Sequence, residues 1–174
     1  MSIKINYLNK LTSKSSANLV LFVEKNFDIS DLKKYISNIE FSYISDLLKN
    51  SDLKKKILSF DLSSKKKIIL INIKDKTNSS GVENLGAELY DFIKVNKIGN
   101  IIINSNSLKA KPEKDFVGRF LHGLKLKSYE FNKYKSKQET RLFDISILGD
   151  KNKPSTKNQL KFKALEEGTF YARD

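Results

Sequence analysis

The 174-residue sequence has no cysteine, one histidine, two prolines and seven glycines. Without cysteine there is no disulfide framework, no thiolate zinc site and no cysteine nucleophile. A single histidine removes His-rich metal sites and metalloprotease helices of the HExxH type. No apolar run approaches the roughly 18–20 residues that a membrane-spanning helix needs. The start, Met1-Ser2-Ile3-Lys4-Ile5-Asn6, lacks an apolar stretch followed by a small-residue cleavage site, so no signal peptide is expected. The seven glycines are scattered singly and form neither a GxGxxG nor a GxxxxGK[ST] phosphate cradle, and no GxSxG elbow occurs. No internal repeat is present. These absences describe one cytoplasmic domain, with no membrane partner and few routes to catalysis.

Arginine is also scarce: of 33 cations, only Arg119, Arg141 and Arg173 are not lysine. Against 20 acids the net charge is +13, and the excess is spread along the chain. Residues 1–80 carry 15 cations and 8 anions, and residues 81–174 carry 18 and 12. Lys, Asn and Ile, all with AT-rich codons, make 64 of the 174 residues, so composition alone can load a surface with lysine. Proteins that read phosphates or base edges lean on the planar fork of arginine. A solvated surface is therefore favoured over a polyanion-binding face, and both readings stay open.

What is present is an alternation of strand and helix signals. Ile3, Ile5 and Tyr7 alternate with polar residues as in a half-buried strand. The runs at 17–23, 68–73 and 101–103 are continuously apolar, as in strands covered on both faces. Asp31 is expected to cap a helix through Tyr35 and Ile36. Phe41, Ile44, Leu47 and Leu48 make one helical stripe; Val82, Leu85, Leu89, Phe92 and Ile93 make another. Phe116, Val117, Phe120, Leu121 and Leu124 form a third, with Pro112 suited to a first helical position. Residues 141–148 alternate as in a strand wet on one face, 151–157 read as a polar linker, and 159–172 as a final helix. Strands alternating with helices imply a layered α/β sheet.

Few residues offer chemistry. His122, at the edge of the third stripe, reads as a boundary or surface histidine rather than a lone general base. Glu166 and Glu167 are the only adjacent carboxylates, and helix neighbours point about 100° apart, so a solvated helix face is expected rather than a shared site. Lys125, Lys127, Lys133, Lys135 and Lys137 interleave with Tyr129, Phe131 and Tyr134. Such lysines can neutralise phosphates while the aromatics stack on exposed bases. The competing reading, favoured by the size of the aromatics, anchors them on the sheet and leaves the lysines in water. The triplets Lys54–Lys56 and Lys65–Lys67 are expected to be solvated near strand ends.

Several segments, taken in order, resemble the N-terminal domain of the M17 leucyl (cytosol) aminopeptidases. They are Phe41–Leu48, Lys66–Ile73, Gly118–Leu124, Tyr129–Lys135 and the close Ala164–Asp174. The last has the form A-x-x-x-G-x-x-x-A-R-D, which in that family is the helix joining the N-terminal to the catalytic domain. The resemblance implies a macro-domain-like layered sandwich, with a mixed central sheet and helices on both faces. It divides the chain into an N-terminal domain over 1–150 and a linker and helix over 151–174, leading toward a catalytic domain absent from this sequence. It implies a parent that removes N-terminal residues such as Leu from peptides, a homo-hexamer using two divalent ions, manganese or zinc. The family's metal ligands and catalytic Lys and Arg lie around an N-T-D-A-E-G-R motif, and nothing like it occurs here. The resemblance thus implies a non-catalytic fragment with no cofactor, catalytic residue or metal ligand of its own, partnered by the parent's catalytic domain and oligomer. Ser42 stands where the family often has Gly, and His122 where Glu is common before Gly123. Macro-like folds of other families bind ADP-ribose through glycine-rich loops; without such a loop that ligand is not expected. Some bacterial members bind DNA, so a DNA-binding module using the Lys125–Lys137 stretch is the alternative.

Overall fold

A computed structural model describes residues 2–10, 18–24, 26–74, 77–109, 114–129, 142–149 and 152–173. Six strands form one sheet: β1 (Ser2–Leu8), β2 (Asn18–Glu24), β3 (Ile57–Asp61), β4 (Lys67–Ile73), β5 (Asn100–Asn104) and β6 (Leu142–Leu148). Their order across the sheet is β1-β6-β5-β2-β4-β3. All neighbours pair parallel except β3, which runs antiparallel to β4 with Ser59 opposite Ile69. Four α-helices, α1 (Asn38–Leu48), α2 (Ser79–Val95), α3 (Phe116–Ser128) and α4 (Thr156–Arg173), cover the sheet.

The continuous apolar runs are the inner strands because both of their faces are buried. In β2, Leu19, Leu21 and Val23 point to the layer that holds α1, while Val20 and Phe22 point to the layer that holds α2 and α3. Ile68 to Ile71 on β4 split the same way, all with no exposed surface. Each such side chain, fully buried, contributes about 1.5–3 kcal/mol. The third stripe is buried throughout, from Phe116 to Leu124, and Phe22 meets both Phe116 and Phe120 edge to face.

Two glycines set the contact between α2 and α3. A Cβ on Gly86 would lie 1.9 Å from the Phe120 carbonyl oxygen, and one on Gly123 would lie 1.9 Å from that of Glu83. Only glycine lets the two backbones approach this closely.

Three local expectations change, and one strand goes unpredicted. Asp31 does not cap an α-helix; it lies inside a 3-10 segment, Ser30–Lys34, whose N-cap Ile29 makes no side-chain cap. The cap falls later, at Ser37, whose hydroxyl accepts from the Glu40 N–H while the Glu40 carboxylate accepts from the Ser37 N–H. Leu47 is exposed, since Ile44 and Leu48 already fill the inward stripe of α1. β3 carried no strand signal of its own, being a five-residue edge strand aligned by β4. On β6 the polar side chains Asp144 and Ser146 are half-buried rather than wet. Pro112 and Ala17 lie outside the described residues.

Candidate functional site

α4 lies across α3 beside β1, and the polar atoms of this seam converge on one carboxylate. Glu166 is 5% exposed. Its Oε1 is 3.1 Å from His122 Nδ1, and its Oε2 accepts from Lys125 Nζ at 2.9 Å. His122 and Lys125, three residues apart on α3, share a face, so one acid can meet both. The imidazole lies 5.1 Å from the Phe162 ring, centroid to centroid. Gly118, one turn earlier, makes room: a Cβ there would sit 2.7 Å from Phe162 Cε2. Further along, Tyr129 stacks on Phe170 at 4.9 Å, and the Arg173 guanidinium lies over the Tyr129 ring.

A cleft of about 270 Å³ opens beside this cluster, lined by Tyr7, His122, Gln159 and Glu166 among others. Burial pushes the Tyr7 phenol above its ordinary 10.0, and the negative charge of Glu166 pushes it further the same way. Both oxygens of Glu166 are committed to α3, so the arrangement acts as a clasp holding α4 against the body of the fold.

These contacts correct two expectations. His122 is not at the surface but 8% exposed beneath α4. Glu166 is not on a solvated face, although its neighbour Glu167 is. The helical offset of about 100° per residue turns one carboxylate inward and the other outward. The inward face of α4 is spelled by Phe162, Glu166 and Phe170 at four-residue spacing, a signal legible only if a carboxylate is allowed into an apolar stripe.

The lysines singled out from the sequence divide. Lys125 is held by Glu166, and Lys127 Nζ lies 3.0 Å from Asp91 Oδ2. Lys133, Lys135 and Lys137, with Phe131 and Tyr134, lie outside the described residues. In the triplets, Lys66 bonds Glu40 at 2.7 Å, Lys67 bonds Asp61 and Lys56 bonds Glu88. Among the described residues, no group of three or more His, Asp or Glu is placed to hold a metal ion. No helix among them is long and apolar enough to cross a membrane.

No protein-family model matches the sequence, and no curated protein matches it. Solved structures do. A tomato leucine aminopeptidase mutant aligns with a TM-score of 0.66 at 17% identity, over 96% of this chain and 36% of that one. The bottromycin maturation enzyme BotP, in complex with Mn, aligns at 0.60 and 10% identity, over 92% of this chain and 31% of that one. The macrodomain of Thermus aquaticus DarG aligns at 0.56 and 11% identity, over 86% of this chain and all of that one. The likeness is one of fold: a mixed sheet between helical layers, as in macrodomains. The chain spans about a third of the length of the aminopeptidase it matches.

Proposed function

We propose that this chain is a non-catalytic domain of the kind that precedes the catalytic domain in M17 leucyl aminopeptidases. The observation that carries the reading is coverage: 96% of the chain superposes on 36% of an aminopeptidase. Of the segments that resemble the family's N-terminal domain, residues 41–48 fall on α1, 67–73 on β4 and 118–124 on α3, and residues 164–173 of the closing pattern fall on α4. In this reading the domain packs on its catalytic partner, shapes access to the site and supports a hexamer. The chemistry, with two manganese or zinc ions, belongs to the partner in the cytoplasm. α4 is suited to the junction. Its inner face is clasped to α3, while Leu160, Leu165 and Tyr171 remain exposed on the rest of the helix.

The test is hydrolysis of a leucyl anilide by this 174-residue chain supplied with Mn²⁺ or Zn²⁺. No turnover is expected, and metal-dependent turnover would overturn the non-catalytic assignment.

A second reading, a DNA-binding module, draws on the net charge of +13 and the Lys125–Lys137 stretch. Neutralising Z phosphates gives a log–log salt slope of about −0.9Z on duplex DNA. A measurable slope that flattens on charge reversal at Lys133, Lys135 and Lys137 supports it; a flat, weak response removes it.

A further inference from the structure

His122 holds α4 with one ring nitrogen and leaves the other unused. Nδ1 meets Glu166 Oε1, whereas Nε2 makes no hydrogen bond among the described residues. The residue is only 8% exposed, yet Nε2 is not one of the side-chain atoms sealed from solvent. It opens on the cleft of about 270 Å³ that His122 lines with Glu166 and Tyr7.

The walls reach this place from three elements on one side of the sheet. Ile5 and Tyr7 alternate onto the face of β1 that lies under α3, and Leu121 of α3 belongs to the same apolar layer. Leu160 and Phe162 close the cleft from α4. β1 is the edge strand, so no further strand bounds the cleft there. Its volume falls just below the roughly 300–1,000 Å³ of sites for drug-sized ligands, a size that suits a single ring.

The polar groups define what that ring must carry. Glu166 accepts from Lys125 and from His122, so Nδ1 holds the ring proton. In the neutral imidazole Nε2 is then an acceptor that still lacks a donor. The Tyr7 hydroxyl likewise makes no hydrogen bond among the described residues. Burial and the Glu166 charge both keep its proton in place, which leaves it a donor. The charges on the walls are already spent: Lys125 pairs with Glu166, and Lys163 Nζ lies 3.8 Å from Glu167 Oε1. An ion entering here would lose water without gaining a counter-charge.

We propose that this cleft binds a small neutral phenol. Its ring packs among Leu121, Leu160 and Phe162, and its hydroxyl donates to His122 Nε2 and accepts from the Tyr7 hydroxyl. The inference is independent of the aminopeptidase reading, because every group it uses lies on this chain.

The probe is phenol itself, titrated into the 174-residue protein isotope-labelled on its histidine nitrogens, with anisole and benzoate as parallel titrations. The single histidine makes the imidazole spectrum unambiguous. Saturable binding of phenol is expected, with a dissociation constant of about 1 mM. At saturation the Nε2 resonance should move upfield while Nδ1 stays protonated. Anisole has the ring without the donor; it should bind about fivefold or more weakly, the worth of one hydrogen bond, and leave Nε2 unmoved. Benzoate should also bind more weakly than phenol. His122→Phe should bring phenol down to the affinity of anisole, whereas Tyr7→Phe should weaken both. If His122→Phe does not fold, the Nε2 shift in the parent protein decides alone. Absence of saturation, an unmoved Nε2, equal affinity for phenol and anisole, or benzoate binding more tightly than phenol would each overturn the assignment.

Discussion

His122 Nδ1 lies 3.1 Å from Glu166 Oε1, joining side chains 44 residues apart in sequence and fixing α4 on α3. Lys125 completes the cluster from the other oxygen of the same carboxylate. A buried acid with two donors on one neighbouring helix defines where α4 sits more sharply than an apolar contact would, because hydrogen bonds are directional.

Removing that acid should loosen the seam without stranding a charge, since the Lys125 side chain is 32% exposed and can turn to water. Glu166→Ala is expected to lower stability by about 1–3 kcal/mol, the range for a buried hydrogen-bonded group. Glu166→Gln should cost less. It should also lower the Tyr7 pKa without restoring it fully, because burial, the larger cause, remains. Urea unfolding and ultraviolet titration, with Tyr7→Phe as the subtraction, read both effects. A Glu166→Ala protein as stable as its parent would show that the cluster does not hold the helix.

The α2–α3 crossing should be the least forgiving place in the fold. Gly86→Ala or Gly123→Ala drives a methyl to within 1.9 Å of a backbone oxygen that cannot swing aside. Each should destabilise by about 3 kcal/mol or more. Gly168→Ala is the control: it lies in α4 with nothing within 4 Å of the added carbon. That change should stabilise by roughly 0.5–1 kcal/mol through helix propensity. Thermal unfolding of the three variants distinguishes packing from propensity.

Acid sensitivity should report on the N-cap of α1. Burial on its own raises the Glu40 carboxyl, but the Lys66 hydrogen bond, the Ser37 N–H and hydroxyl, and the Lys66 charge together hold it below 4.5. With the folded value depressed, its stabilising contribution is complete above the ordinary carboxylate range and is lost as pH falls through the folded value. Glu40→Gln should therefore lower stability near neutrality, by about 0.5–1 kcal/mol after solvent screening. The gap to the parent should close in strong acid. A gap that stays constant with pH would assign the effect to helix propensity instead.

The central strands were legible because burial on both faces writes a continuous apolar run that no polar periodicity interrupts. The α2 and α3 stripes were legible for the same reason, at helical spacing. β3 was not, because an edge strand is aligned by its neighbour rather than by its own pattern. The Glu166 cluster was hidden because its partners are distant in sequence and its carboxylate sits where an apolar residue is expected. Gly86 and Gly123 looked like scattered glycines until two helices crossed at them. The cleft lined by Asn26, Lys54, Lys74 and Gly81 gathers four chain segments, and only the fold shows that Lys54 and Lys74 border the same space.

The most direct test of the domain reading is to follow the coding sequence past Asp174 in the same frame. The account predicts continuation into a second domain that carries the carboxylate metal ligands around an N-T-D-A-E-G-R-like motif. A stop codon immediately after Asp174 would contradict it.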